Sequence, residues 1–398
     1  MKAAIFCFFL LLAAPSRPAL AEQAFVGSAA NGSLVLRPAD GQRVLIAGVD
    51  FQSLLARVEA LQTKMDTLAA DRPCTLTADT DAMTGMAGGR KWSYGVLGPN
   101  NKIYGIPTSA ASVLIIDPTT NTADTTTLSG LTSADHKWYG GVLAGNGKIY
   151  GISYNATSVL IIDPINNTVD NTTIKGLSGS AKWVGGVLAG NGKIYGFPYN
   201  SVSVLIIDPA ADTADTSTIT GLSSDIAKWA GGVLASNGKI YGIPWESASV
   251  LIIDPATNAV DTAAIAGLSG SMQWHGGVLA GNGKIYGMPW GAASVLIVDP
   301  ATNTTDTSSI TGLTQATSKW LGGVLAGDGK VYGIPYTSAS VLIIDPATNT
   351  TDTTSLAGLG GDAKWYGGVL AANGKIYGVP HYSPSVLVVQ CAYRPQGL

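Results

Sequence analysis

The chain has 398 residues, with 23 Lys and Arg against 26 Asp and Glu and a formal net charge of −3. That balance offers no basic stripe, which excludes a nucleic-acid surface. Charged residues at only 12%, beside 50 glycines, exclude a charge-rich disordered chain and point to a repeat array.

The first element is "MKAAIFCFFLLLAAPSRPALAEQ", with Lys2, an apolar run from Ala3 to Ala14, and small residues at Ala19 and Ala21. It reads as a secretory signal over residues 1–21, with Glu22 as the mature start. The run is too short to span a bilayer and nothing later is longer, so no membrane insertion is expected. Loss of Lys2 and Arg17, with no acid, leaves 21 bases against 26 acids, a net charge of about −5. A secreted, extracellular or periplasmic protein is expected.

Residues 22–49 do not repeat. "GSLVLRPADGQRVLIAG" reads as two short strands about a "PADG" turn, a short β segment. Over residues 50–71, Phe51, Leu54, Val58, Leu61, Met65 and Leu68 follow spacings of 3, 4, 3, 4 and 3, an a/d stripe on a helix. The expectation is a coiled-coil stalk over residues 50–70 that joins copies as a trimer or dimer. The rival is a helix packed on its own ring.

Residues 72–398 carry the repeat. Trp92, Trp138, Trp183, Trp229, Trp274, Trp320 and Trp365 stand 45 or 46 residues apart. Within one unit, "KWYGGVLA" predicts a first strand, "GNG" a hairpin turn and "KIYGIP" a second strand. "SVLIID" predicts a third strand buried on both faces, "PATNT" a turn, and "DTTTI" a fourth strand half open to water. Four antiparallel strands in about 45 residues, seven times over, predict an all-β, seven-bladed β-propeller. The rivals are an eight-bladed ring and an open solenoid; the latter wants atypical capping units, and these units are alike.

The ends of the array decide for a ring. The last unit, "SVLVVQCAYRPQGL", has no fourth strand. Before the first Trp, "RPCTLTADTDAMTGM" aligns with "DPATNTTDTTSLAGL", so that Asp79 falls on Asp352 and Gly85 on Gly358. The N-terminal piece is the missing outer strand, and its insertion removes the exposed edges of the array. That alignment sets Cys74 and Cys391 at one turn position, where a disulfide is expected to fasten the closure over a very long loop.

"SVLIIDPATNT" followed by "DTTTI" resembles the YVTN-type propeller repeat of surface and secreted proteins, and the "GG" and "YG" pairs are similar to those of kelch repeats. The resemblance covers Cys74 to about Ala392 and implies a propeller that binds proteins or glycans, with no single catalytic set.

The repeated Trp and Tyr residues suit blade packing, and the glycine pairs suit close backbone approach near the axis. The residue after "GIP" and its variants changes from unit to unit: Thr108, Tyr154, Tyr199, Trp245, Trp290, Tyr336 and His381. The last six are the candidate ligand-binding residues, aromatics on one face that suit the C–H faces of sugars, with Asn155, Asn200, Ser201, Glu246 and Thr337 beside them. The lysines before each Trp (Lys91, Lys137, Lys182, Lys228, Lys319, Lys364, with Gln273 breaking the set) are expected as a solvated rim at the channel mouth. His136, His275 and His381 lie in different units, and "DPATNTTD" lacks the Gly and Glu of a calcium loop, so neither metal nor cofactor is expected.

No nucleophile elbow, phosphate loop or Cys/His pair appears, and no catalytic residue is assigned. The expected function is a secreted or cell-surface binding and adhesion protein that presents a multivalent face to a glycan or an extracellular protein. The alternatives are a propeller-type polysaccharide lyase or hydrolase built on His136, His275 and Asp225, and a structural matrix protein.

Overall fold

The computed structural model describes residues 74–393 and, before them, the strands Phe25–Ser28, Leu34–Arg37, Leu45–Ile46 and Val49–Asp50 with Arg57 and Ala60. Leu34–Arg37 pairs with Phe25–Ser28, and Leu45–Ile46 with Val49–Asp50. The "PADG" stretch, expected as a turn, lies outside the described residues. Arg57 and Ala60 are helical and exposed. The signal segment and the rest of the expected coiled coil lie outside the described residues.

Residues 76–392 form a closed ring of seven four-stranded antiparallel blades, six of which run from an inner strand to an outer one in chain order. The second blade shows the pattern: Trp138–Leu143, Ile149–Ser153, Leu160–Asp163 and Thr168–Asp170. The seventh consists of Trp365–Leu370, Ile376–Pro380, Leu387–Tyr393 and, as its outer strand, Cys74–Asp79. Ring closure by the N-terminal strand is thus as expected. Nothing is described of the Cys74 side chain, so its expected pairing with Cys391 lies outside the described residues.

Apolar side chains bond blade to blade. Tyr150, Ile152 and Ile161 of the second blade pack with Trp183, Ile194, Leu205 and Ile207 of the third. At the closure, Tyr377, Val379, Val386 and Val388 pack with Trp92, Ile103, Leu114 and Ile116 in the same way. Each Trp that opens an inner strand also donates its indole N–H to a carbonyl on its own blade, Trp138 to Ser158 O at 2.8 Å, which satisfies its one polar atom.

A polar clamp accompanies this packing. Asn146 Nδ2 donates to Tyr150 Oη at 2.9 Å and to Pro209 O on the next blade at 3.0 Å. The same bond closes the circle, from Asn373 Nδ2 to Pro118 O at 3.0 Å. The sixth blade faces a neighbour without the Asp-Pro turn, and there the Asn is replaced by Asp328, which accepts from Tyr332 Oη at 2.8 Å.

The outer strands are shorter than expected and lie earlier in the sequence. They end at the Asp of "DTTTI", as in Thr168–Asp170. The cause is the Asp itself. Asp170 Oδ1 accepts from the backbone N–H of Thr172 at 2.7 Å and of Thr173 at 3.2 Å, and Oδ2 accepts from the Thr173 hydroxyl. This turn removes the donors that a longer strand would need.

These turns predict acid lability. The Thr173 hydroxyl, helped by the backbone donors, holds the Asp170 carboxyl at about 2, and Asp124, Asp215, Asp306 and Asp352 are also held below the usual range, hydroxyl donors first. A lowered carboxyl stabilises the fold above its unfolded value near 4 and ceases to as pH falls through the folded one. The melting temperature is expected to drop between about pH 4 and pH 2, and less steeply in an Asp170→Asn, Asp215→Asn variant.

Candidate functional site

The loops before each inner strand and the loops after each second strand meet on one face, where their backbones form a closed circuit. Tyr154 N donates to Lys137 O at 2.9 Å, Lys182 N to Tyr154 O at 3.0 Å, Tyr199 N to Lys182 O at 2.9 Å, and Lys228 N to Tyr199 O at 2.9 Å. The alternation continues through Trp245, Gln273, Trp290, Lys319, Tyr336, Lys364, His381, Lys91 and Thr108 and returns to Lys137. Two bonds per blade thus fix the backbone that carries every candidate ligand residue.

The lysines of this circuit are not a solvated rim. All six are 2–5% exposed. Lys182 Nζ donates to Tyr154 O, Ala156 O and Gly179 O, each at 2.9 Å. The other five likewise donate to the carbonyl three residues back. Each ammonium also lies about 6 Å from the neighbouring Trp ring, as in Lys137 over Trp138 at 5.7 Å. An ammonium has three donors and the loops present carbonyls with lone pairs to spare, both inside and outside the circuit; that match outweighs the cost of burial. Desolvation pushes Lys91, Lys137, Lys182 and Lys319 down to about 8. In the fifth blade Gln273 Nε2 donates to Ser271 O at 2.8 Å instead.

The side chains after the second strands come together. Ring centroids are 5.9 Å apart for Tyr154–Tyr199, 5.1 Å for Trp245–Trp290, 5.0 Å for Trp290–Tyr336 and 6.0 Å for Tyr336–His381. Tyr154, Tyr199, Trp290 and Tyr336 are partly exposed, whereas Trp245 at 8% and His381 at 3% are buried. His381 Nδ1 bonds Trp92 O at 2.9 Å. Of the flanking polar groups, Asn155 and Asn200 use their carbonyl oxygens to accept from Ala181 N and Ala227 N. Thr108, small and fully buried, interrupts the aromatic circle between His381 and Tyr154.

Inside the circle lies a second tier that sequence reading missed. The residue after each Trp points to the axis; Tyr139, Val184, Ala230, Leu321 and Tyr366 form one buried cluster. Tyr139 meets Tyr154 at 4.7 Å and Tyr366 at 5.5 Å, and His275 meets Trp245 at 4.9 Å.

The axis itself is crossed by Tyr94. Every inner strand bulges at a residue of positive φ, which is Gly140, Gly185, Gly231, Gly276, Gly322 or Gly367 in six blades and Tyr94 (φ 48°) in the first. A Cβ on Gly140 would stand 3.0 Å from Gly185 Cα, so the blades touch there through backbone. A Cβ on Gly322 or Gly367 would stand 3.1 or 2.5 Å from the Tyr94 ring. Tyr94 thus lies over a cavity of about 130 Å³ lined by Gly95 and the glycine pairs from Gly140–Gly141 round to Gly322–Gly323. The signal was present as "KWSYG", with Tyr-Gly where the other units have Gly-Gly after the third position.

Tyr94 and Tyr366 hold His275 between them. Tyr94 Oη is 3.0 Å from His275 Nδ1, and Tyr366 Oη is 3.3 Å from Nε2. Burial pushes the imidazole down to about 3, so it is neutral, and one nitrogen donates while the other accepts. His136 and Asp225 do not join it: no hydrogen bond links any two of the three among the described residues, and Asp225 bonds Ser223 Oγ at 2.5 Å. Among the described residues no three His, Cys, Asp or Glu side chains are grouped to hold a metal ion.

No family model matches the chain, and no curated protein does either. Solved structures do. A streptogramin B lyase superposes with a TM-score of 0.63 at 10% identity, over 79% of this chain and 98% of that one. The virginiamycin B lyase of Staphylococcus aureus gives 0.61 at 9%, over 80% and 99%. The extracellular domain of BT4673 from B. thetaiotaomicron gives 0.59 at 11%, over 82% of this chain and 44% of that one. At these identities the likeness shows the seven-bladed fold alone; the YVTN and kelch similarity stays a resemblance of repeats.

Two outcomes follow from this geometry. Lys182→Met keeps the stem but takes the ammonium from three carbonyls, of which Tyr154 O keeps Lys182 N, Ala156 O keeps the Ser153 hydroxyl and Gly179 O keeps no donor among the described residues. It should lower stability by about 1–2 kcal/mol in denaturant unfolding, with Lys182→Gln costing less. In nitrogen-detected NMR, the His275 ring is expected to show no titration between pH 5 and 8, because burial keeps it neutral throughout that range.

Proposed function

We propose that the chain is an extracellular binding protein that holds a saccharide against the aromatic face of its propeller. The observation that carries this reading is the run of partly exposed rings, Tyr154, Tyr199, Trp290 and Tyr336, backed by a buried second tier. Flat rings suit the C–H faces of sugars, and rings locked by neighbours lose little entropy when a ligand stacks on them. The expected secretory segment supports an extracellular setting, as does the fold shared with the extracellular domain of BT4673. An oligomerising stalk over residues 50–70 would add avidity to a weak site.

An enzyme remains the second reading, because the same fold serves the streptogramin B lyase and one sector of this face departs from the repeat. Against it stands His275, whose two ring nitrogens are already engaged by tyrosines.

The test is a glycan screen on the full-length chain, followed by titration of any ligand found. Trp290→Ala and Tyr154→Ala should each weaken binding about tenfold or more. Both should leave the melting temperature within a few degrees, because these partly exposed rings pack at the margin of the axial cluster and outside the buried cores between blades. Absence of any saccharide ligand, or binding unmoved by both variants, overturns the proposal.

A further inference from the structure

The repeat is nearly uniform, and one column of the face departs from it in two adjoining blades. The residue before each lysine of the circuit, or before Gln273 in the fifth blade, is Arg90, His136, Ala181, Ala227, Met272, Ser318 or Ala363, all at positive φ. Small or apolar residues fill that column except where the first two blades set an arginine and a histidine side by side. Arg90 is the single arginine between Cys74 and Tyr393. Thr108 lies between the two positions in sequence and opens the gap in the aromatic circle.

Arg90 is exposed yet held in place. Its Nε donates to Tyr382 Oη at 2.7 Å, and Tyr382 packs over Gly89, where a Cβ would stand 2.5 Å from its ring. Gly89 is therefore glycine so that Tyr382 can lie against the loop and anchor the guanidinium. Arg90 has no ion pair among the described residues; the Asp135 carboxylate acts on it only at longer range. Its terminal nitrogens form the planar fork that matches a carboxylate or sulfate. Across the gap, the His136 ring meets Tyr139 at 5.7 Å and Tyr154 at 6.2 Å. His136 Nε2 is buried with no hydrogen-bond partner among the described residues. Orphaned buried nitrogens are rare and mark places where a ligand or water completes the structure.

We infer that Arg90, Tyr382 and His136 form a single anion subsite at the edge of the aromatic face, so that the saccharide recognised there carries an acidic group. This rests on the saccharide reading of that face. The rings supply stacking around the circle, and the arginine fork fixes one acidic residue of the ligand in one sector.

The experiment is calorimetric titration of the full-length chain with three oligosaccharides of equal length: an oligogalacturonate, a sulfated galactan and a neutral cello-oligosaccharide. At least one acidic probe should bind about tenfold or more tighter than the neutral one, and the two acidic arms tell carboxylate from sulfate ester. Arg90→Gln should abolish that preference and leave neutral binding unchanged, Arg90→Lys should keep part of it, and His136→Gln should weaken the acidic probe alone. Unchanged melting temperatures show that the variants fold. Equal binding of acidic and neutral probes, or an Arg90→Gln variant that retains the preference, overturns the subsite while the aromatic face stands. Failure of all three probes together with a blank glycan screen removes both.

Discussion

A closed circuit of backbone hydrogen bonds, two per blade, governs the face of this propeller. Because each loop residue in it both donates and accepts through the main chain, the circuit closes whichever side chain the variable column carries. The column can therefore hold Thr, Tyr, Trp or His without disturbing its neighbours. The same loops explain the buried lysines: their carbonyls keep spare lone pairs once the amides are spent on one another, and an ammonium on a flexible stem reaches three at once. A scaffold satisfied by backbone leaves its side chains for recognition.

The blades touch at the axis through glycine and at the rim through aliphatic packing, and between them a polar clamp runs from Asn to the next Asp-Pro turn. These contacts are so regular that each exception has a local reason. Asp328 stands where the neighbour offers no turn carbonyl of that kind, and there it serves Tyr332 instead. Gln273 stands where a shorter amide meets Ser271. Such exceptions show that the repeat is tuned blade by blade.

Much of this was legible in the sequence. The Trp spacing set the blade number, and the orphan strand at Cys74–Asp79 set the closure, because both depend on periodicity alone. The outer-strand boundaries were misplaced because Thr after Asp suits a strand by propensity, while the Asp carboxylate captures the following amides and turns the chain. The lysines were set in water because a charge without a carboxylate partner is ordinarily solvated; carbonyl cradles leave no mark in the sequence. The candidate ring at Tyr154, Tyr199, Trp245, Trp290, Tyr336 and His381 came from one variable column. Reading the neighbouring columns by the same rule would have found Arg90, Tyr94 and Tyr366.

Tyr94 has a consequence for how anything can sit on the disc. Its ring leans from the first blade toward His275 in the fifth, and so marks one diameter of an otherwise cyclic object. On a perfectly rotational surface a guest would have seven interchangeable poses and no reason to prefer one. With a pointer fixed at the hub, those poses become distinct, and a seven-spoked wheel acquires a north.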